Sequence, residues 1–139
     1  MRNTQFSVAV HVMAGLGARA RRGECAPSRM LAESVNTSPS FVRRVLAKLS
    51  KAGLIRTSTG KNGFCAVARD PKTITLLDIY RAVDAPKAFA VHEHPARPSC
   101  PISCGIKASL QKVLDRTQAS LEADLKKTTL DGLVSELTS

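Results

Sequence analysis

The stretch that decides the fold is residues 28–55, SRMLAESVNTSPSFVRRVLAKLSKAGLI. Apolar residues recur at helical spacing in its first eight positions and again after the Ser38-Pro39 pair. That pair is a strong start signal, because serine is a favoured N-cap residue and proline suits the first helical position. Gly53 can adopt positive φ and ends the second helix. The stretch therefore predicts helices over about 28–35 and 39–52, joined by a short turn.

The residues on either side of this helix pair predict a third helix and a hairpin. Between Gln5 and Ala20, apolar residues three and four apart predict an amphipathic helix. After the pair, 54–58 and 64–68 predict short strands, and the glycines and asparagine between them favour a tight turn. Three helices followed by a two-stranded hairpin are typical of a winged helix-turn-helix.

The remainder of the chain predicts two further helices, a loop and a long helix. Thr75 and Asp78 resemble a capping box that opens the fourth helix. A proline-rich stretch over 87–101 predicts a loop. Apolar residues three and four positions apart predict a helix of about seven turns over 103–127. A short helix is predicted after Thr129. The predicted fold class is mainly α, a winged helix-turn-helix with a two-stranded wing and a long C-terminal dimerisation helix.

The excess positive charge of the chain is confined to its first half. Met1 to Arg69 hold twelve lysines and arginines against two acids, whereas the remaining residues hold nine of each. A field that uneven attracts a polyanion to one half of a molecule, although a basic surface can also serve solubility. Aromatic residues make up 4% of the chain, which disfavours stacking platforms for single-stranded nucleic acid. Duplex DNA is the predicted partner, and an RNA-binding protein is the alternative from another class.

The helix beginning at Pro39 is predicted to enter the major groove, which is wide enough for one helix. Val42 is expected in the core. The residues predicted at the groove are Ser38, Ser40, Phe41, Arg43 and Arg44. The residues predicted to contact phosphates are Arg2, Lys51, Arg56 and Lys61, the last at the tip of the wing.

Several segments together resemble one family of bacterial regulators. Segments 28–33, 38–42 and 46–55, followed by 74–84 and 129–133, are similar to winged-helix regulators of the IscR, NsrR and CymR type (the Rrf-two family). The resemblance implies a homodimeric transcription factor with a long dimer helix and an effector loop before it. The family usually carries an arginine in the wing where this chain has Thr59, and Lys61 is the nearest substitute.

The predicted loop holds His92, His94, Cys100 and Cys104. Cluster-binding members of the family place three cysteines in this loop, whereas this chain has two, separated by three residues. Four interpretations stay open: a thiol switch, an iron–sulfur cluster completed by histidine, a zinc site and an inert loop. In the thiol switch, Cys104 is expected to gain from the dipole of the long helix, which favours its thiolate, and Cys100 is close enough in sequence to resolve it. Peroxide is then expected to act through Cys104. Cys25 and Cys65, which stand alone, are expected to fill the core.

The sequence divides into a DNA-binding domain (1–84), an effector loop (85–102) and a dimerisation segment (103–139). The apolar stripe of the long helix is expected to pack against the same helix of a second chain across a two-fold axis. The alternative is that the long helix folds back on its own domain. A palindromic operator follows from that symmetry. Oxidation or ligand loss at the loop cysteines is expected to move the loop, tilt the long helix and change the half-site spacing.

Several classes of protein are disfavoured. No run of about 18 apolar residues predicts a membrane span, and no secretory signal is evident, so a cytoplasmic location is expected. A thiol oxidoreductase would need a C-x-x-C motif beside a strand–helix unit, and the chain has neither. The function predicted from the sequence is a DNA-binding transcription regulator, a repressor, and not an enzyme.

Overall fold

The computed structural model describes residues 4–58 and 63–138, and all its helices and strands lie within those ranges. The helices are α1 (Gln5–Ala20), α2 (Ser28–Val35), α3 (Pro39–Lys51), α4 (Leu76–Ala82), α5 (Pro101–Leu125) and α6 (Leu130–Thr138). The strands are β1 (Ala26–Pro27), β2 (Ile55–Thr57) and β3 (Phe64–Val67), and a 3-10 turn spans Pro71–Thr73. The predicted fold class, mainly helical with a wing and a long C-terminal helix, is confirmed.

The wing sheet has one strand more than the sequence predicts. Its order is β1-β3-β2, with both pairings antiparallel, and β3 lies in the middle. Ala26 pairs with Cys65, and Ile55 pairs with Val67. β1 has only two residues and its second is proline, which lacks an N–H to donate. A strand so short leaves no alternating pattern in the sequence.

Local signals fix the ends of the helices as the sequence predicts. Gly53 has φ of 78° and follows α3 at its C-terminal end, and Asn36 has φ of 60° at the end of α2. Both residue types tolerate this left-handed conformation better than most. At the start of α4, the Thr75 side chain accepts from the Asp78 N–H, and the Asp78 carboxylate accepts from the Thr75 N–H. The predicted capping box is therefore confirmed.

The core is built around α1. Ala9, Val12, Met13 and Leu16 are each 1% exposed or less. These residues follow the helical repeat, so one face of α1 is buried along its length. The rest of the core consists of apolar residues from the other helices and the wing, including Val42, Val45, Leu49, Ile55, Ile79, Leu130 and Val134.

The last helix packs on the first. A Cβ added at Gly17 of α1 would lie 3.1 Å from a methyl carbon of Val134, so the absence of a side chain allows close approach. Leu130 and Val134 are buried, which stabilises the fold by about 1.5–3 kcal/mol for each side chain. Arg21 closes the contact from the end of α1, donating to the Asp131 carboxylate at 3.1 Å and to Ser135 Oγ at 2.6 Å.

The chain divides into two compact units. The described residues up to Ala85, together with those from Leu125 onward, form the first unit, and Pro86–Asp124 form the second. The sequence groups α6 with the dimerisation segment, whereas its contacts place it beside α1. Within α5, all of whose residues are described, Gln118 alone is buried. The functional roles assigned to the three sequence segments stay predictions.

Candidate nucleic-acid interface and cysteine loop

Helix α3 is amphipathic in the way the sequence predicts. Val42, Val45, Leu46 and Leu49 are buried, and Val42 is 1% exposed, as expected of a core residue. A helix held by one continuous buried face presents its opposite face in a fixed orientation. The exposed residues of α3 are Pro39, Ser40, Arg43, Arg44, Ala47 and Lys51, and Phe41 is half-buried at the edge.

The N-terminus of α3 departs from the expected capping. Ser38 precedes the first helical residue, Pro39, as predicted, but its side chain makes no capping hydrogen bond to the backbone. Its Oγ lies instead 2.9 Å from Ser40 Oγ. The expectation that Ser38 caps the helix through its side chain is therefore wrong. Both hydroxyl groups are exposed at the tip of the helix.

Arg43 and Arg44 both point to the surface. The Arg44 guanidinium carbon lies 5.6 Å from the centre of the Phe41 ring, a cation–π distance that orients the side chain without neutralising its charge. Neither arginine forms an ion pair with any residue in 4–58 or 63–138. Two full positive charges therefore lie side by side on the exposed face of α3.

The cations of the basic half separate into two groups. Arg19 and Arg22 pair with Glu24 at 3.9 and 3.4 Å, Arg21 pairs with Asp131, and Arg69 pairs with Asp78 at 3.3 Å. Lys48 donates to the Gln5 side chain at 2.8 Å. The exposed cations without a described acidic partner are Arg29, Arg43, Arg44, Lys51 and Arg56.

This second group lies on α2, on α3 and on strand β2 of the wing. Arg29 is not predicted from the sequence, since a single exposed arginine on a short helix gives no pattern to notice. Arg2 and Lys61, also predicted at phosphates, lie outside the described residues. The structure tests no DNA contact, and the assignments to individual residues stay predictions.

The two cysteines near the start of α5 play opposite roles in hydrogen bonding, since Cys100 accepts and Cys104 donates. Cys100 immediately precedes α5, and its Sγ accepts a hydrogen bond from the Ser103 N–H at 3.4 Å, as an N-cap side chain does. Cys104 is the fourth residue of α5, and its Sγ donates to the carbonyl oxygens of Arg97 and Pro98 at 3.6 and 3.7 Å. Cys100, and not Cys104, thus meets the first amide groups of the long helix.

His92 and His94 lie together, and no third metal-ligating side chain among the described residues joins them. Their rings are 5.1 Å apart at an angle of 38°, and the His94 N–H donates to His92 Nδ1 at 3.2 Å. Both side chains are exposed. Across 4–58 and 63–138, no three side chains of histidine, cysteine, aspartate or glutamate are gathered as a metal site would need.

The other two cysteines differ from each other. Cys65 on β3 is 3% exposed, as expected of a core residue, whereas Cys25 is exposed, so the expectation that it fills the core is wrong. Cys25 directly precedes the two-residue strand β1, which places it at the surface. Burial, and to a lesser extent the nearby Cys25, raises the pKa of the Cys65 thiol.

A wing sheet behind three helices, with exposed cations on the third that have no acidic partner among the described residues, defines a winged helix-turn-helix transcriptional regulator. The chain belongs to the Rrf2 family, whose model, described as "Iron-dependent Transcriptional regulator", matches residues 2–136. Members of this family are transcriptional regulators, so the chain regulates transcription and is not an enzyme. No helix in the described part of the chain has both the length and the apolar character to cross a membrane.

Similar proteins span almost the whole chain. YwnA of Bacillus subtilis (strain 168), named as an HTH-type transcriptional regulator, is 33% identical over 138 residues, which cover 99% of each chain. The structure of CymR, the global cysteine regulator of B. subtilis, has a TM-score of 0.71 at 20% identity, covering 98% of this chain and 97% of that one. IscR of T. potens has a TM-score of 0.71 at 21% identity, covering 99% and 88%.

The family description implies iron, and the described residues do not fit an iron–sulfur cluster, because no three candidate ligands are gathered among them. Such clusters are held by four ligands that are mostly cysteine thiolates. The segment from residue 85 to Cys104, which we call the cysteine loop, offers two thiols and two histidines. One thiol donates its hydrogen to backbone carbonyl groups, and the two histidines lie against each other.

Proposed function

We propose that the protein is a homodimeric, sequence-specific transcription regulator, a repressor, that inserts α3 of each subunit into the major groove of a palindromic operator. The observation that carries this proposal is the pair of exposed arginines, Arg43 and Arg44, without a described acidic partner on a helix whose opposite face is buried. Guanidinium groups form bidentate hydrogen bonds with guanine edges and also bind phosphates. Gel-shift titration of Arg43→Ala and Arg44→Ala against a selected operator tests it.

The roles of the remaining residues follow from their places around α3. Ser38, Ser40 and Phe41 lie at the N-terminal end, from which recognition helices reach base edges. Lys51 at the far end and Arg56 on the wing are proposed to contact phosphates, as are Arg2 and Lys61 outside the described residues. We add Arg29 of α2 to this group, since it is exposed and has no described acidic partner.

The dimer is proposed to form through α5. Ile102, Ile106, Leu110 and Val113 are 72%, 41%, 37% and 43% exposed and follow one another at helical spacing. An apolar stripe of this length on a single helix is costly in water. A second copy of the same helix covers it with an identical surface, as two-fold symmetry requires. Two α3 helices would then read half-sites one helical turn apart or a multiple of it.

The phosphate contacts predict a change in salt dependence. The logarithm of the DNA-binding constant falls as the logarithm of the salt concentration rises. Lys51→Ala and Arg56→Ala are each expected to make this negative slope shallower by about 0.9, because each removes one contact that releases a counterion. Lys61→Ala is expected to do the same. The slopes are measured by fluorescence anisotropy on a duplex of unrelated sequence. Lys112→Ala on α5 is the control, and slopes equal to the wild type would refute the phosphate roles.

We propose that the cysteine loop is a thiol switch in which Cys100 reacts first and Cys104 resolves it, the reverse of the order that the sequence predicts. Its sulfur already accepts a hydrogen bond from the helix, whereas the Cys104 proton is shared with carbonyl groups. With hydrogen peroxide, the Cys100 sulfur takes one oxygen as the O–O bond breaks, giving a sulfenic acid and water. The Cys104 sulfur then attacks Cys100 and a second water leaves. Two thiols become one disulfide while one peroxide becomes two waters.

The switch predicts different behaviour for the two cysteine variants. Peroxide is expected to change the DNA affinity of the wild type by about 5-fold or more, within the range of allosteric coupling. Cys100→Ser is expected to lose this response. Cys104→Ser is expected to accumulate a sulfenic acid at Cys100, detected by dimedone labelling and mass spectrometry.

Cys25→Ser is the matched control, because Cys25 is also exposed. It is expected to respond to peroxide like the wild type. A normal response in Cys100→Ser, or dimedone labelling at Cys104 in place of Cys100, would contradict the assignment. The iron content and visible absorbance of protein purified without oxygen separate this proposal from a cluster. The switch predicts colourless protein without bound iron.

A further inference from the structure

A groove separates α3 from the wing, and we call it the helix–wing groove. Arg43, Leu46 and Lys51 line it on α3, and Thr57, Ser58 and Phe64 line it on the hairpin. Its volume is about 570 Å³, which lies in the range of sites that hold small molecules. The groove lies wholly within the first compact unit.

The described lining of the groove carries positive charge and no carboxylate. Arg43 and Lys51 are 8 positions apart in sequence and form no ion pair with a described residue. Hydroxyl groups of Ser50, Thr57 and Ser58 add hydrogen-bonding capacity beside them. An anionic group in the groove would therefore be attracted by Arg43 and Lys51, and no acidic side chain among the described lining residues would repel it.

The groove also has an apolar wall. The Phe64 ring is 42% exposed and lies across the groove from Leu46 of α3. The hairpin wall is held in place because the Ser58 N–H donates to the Phe64 carbonyl at 2.9 Å and the Phe64 N–H donates to Ser58 Oγ at 3.0 Å. An exposed aromatic ring adds nothing to binding a phosphate, whereas it favours the body of an organic ligand.

We propose that the helix–wing groove binds a small organic anion, with its aromatic or aliphatic body against Phe64 and Leu46 and its anionic group against Arg43 and Lys51. Because the two cations belong to the proposed DNA surface, the bound anion excludes DNA. This second step rests on the proposed function. The ligand is an effector that acts by direct competition, separately from the cysteine loop.

Direct binding is measured by calorimetry with 2-naphthoate as the probe and without DNA. One molecule is expected to bind per chain, and uncharged 2-naphthalenemethanol is expected to bind at least 10-fold more weakly. Lys51→Gln and Phe64→Ala are each expected to weaken naphthoate binding at least 5-fold. Both residues are exposed, so the variants are expected to keep the wild-type thermal unfolding transition.

The controls are Lys112→Gln on α5 and Phe89→Ala, since Phe89 is another exposed aromatic residue and lies outside the groove. They are expected to bind 2-naphthoate like the wild type. Failure of the wild type to bind at millimolar concentration, or equal weakening by these two control variants, would overturn the groove as the site. Such a failure would not contradict the proposed DNA binding, which is measured separately.

Competition is measured by adding 2-naphthoate to the complex with duplex DNA. Saturating naphthoate is expected to raise the apparent Kd for DNA at least 10-fold in the wild type and to have less effect on Phe64→Ala. If naphthoate binds in the groove but leaves the DNA affinity unchanged, competition is overturned. That result would also count against DNA contacts by Arg43 and Lys51.

Discussion

Replacing Arg43 or Arg44 by alanine is expected to weaken binding to the operator by about 1–3 kcal/mol each, or about 5- to 150-fold. The two side chains are exposed on α3 and no described acid neutralises them. The operator is obtained by selecting duplexes from a random library with the wild-type protein, and affinities are measured by gel shift. The variant with the larger loss identifies the arginine that reads a guanine.

The control for this experiment is Arg116→Ala, which removes an exposed arginine from α5. It is expected to bind the selected duplex like the wild type. On a duplex of unrelated sequence, the arginine that reads a base should lose less affinity than on the operator, whereas a phosphate contact should lose the same on both. Wild-type affinity of both Arg43→Ala and Arg44→Ala would remove α3 as the recognition helix.

Replacing Ile106 or Leu110 by glutamate is expected to convert the protein from a dimer to a monomer at micromolar concentration. Each change would place a carboxylate, together with its copy from the second subunit, in the apolar centre of the proposed interface. Burying such unpaired charges costs several kcal/mol. Sedimentation velocity measures the oligomeric state. Operator affinity is expected to fall at least 100-fold, because each monomer binds one half-site alone.

Ala108→Glu is the matched control, since Ala108 is an exposed residue of α5 on the opposite face of the helix from the apolar stripe. It is expected to remain dimeric and to bind the operator normally. Circular dichroism should give similar helix content for all three variants, because Ile106 and Leu110 are exposed and their replacement opens no cavity. Dimeric Ile106→Glu and Leu110→Glu proteins would place the subunit interface elsewhere.

The sorting of cations into two groups explains why net charge alone is a poor guide to the binding surface. The basic half of the chain has an excess of ten charges. Arg21 and Arg69 pair with the acids Asp131 and Asp78 at 3.1 and 3.3 Å, so their charges are offset within the chain. Arg43 and Arg44 have no such partner among the described residues, so their field reaches into solvent. The acid that pairs with Arg21 lies far away in sequence, and only the folded chain brings the two together.

The sequence predicts most of the fold because its signals are local. The Ser38-Pro39 pair, the glycine after α3 and the capping box at Thr75 each act within a few residues. The sequence does not predict strand β1, since a two-residue strand that ends in proline exists only through its pairing with β3. The docking of α6 on α1 is equally non-local, and depends on Gly17 and the reach of Arg21.

The candidate site is predicted less completely than the fold. Burial of Val42 and exposure of the neighbouring arginines follow from the helical period of α3. The opposite hydrogen bonds of Cys100 and Cys104 depend on where α5 begins, and the helix begins at Pro101, two residues before the predicted start. That shift gives Cys100 the capping position. The helix–wing groove has no sequence pattern, because its two walls come from separate elements.

The measurement that tests the central claim most directly is methylation interference on the selected operator. Methylation of guanine N7, which lies in the major groove, is expected to block binding at positions related by two-fold symmetry. These positions should lie one helical turn apart or a multiple of it. A single asymmetric patch, or binding unaffected by major-groove methylation, would contradict a dimer that reads DNA through α3.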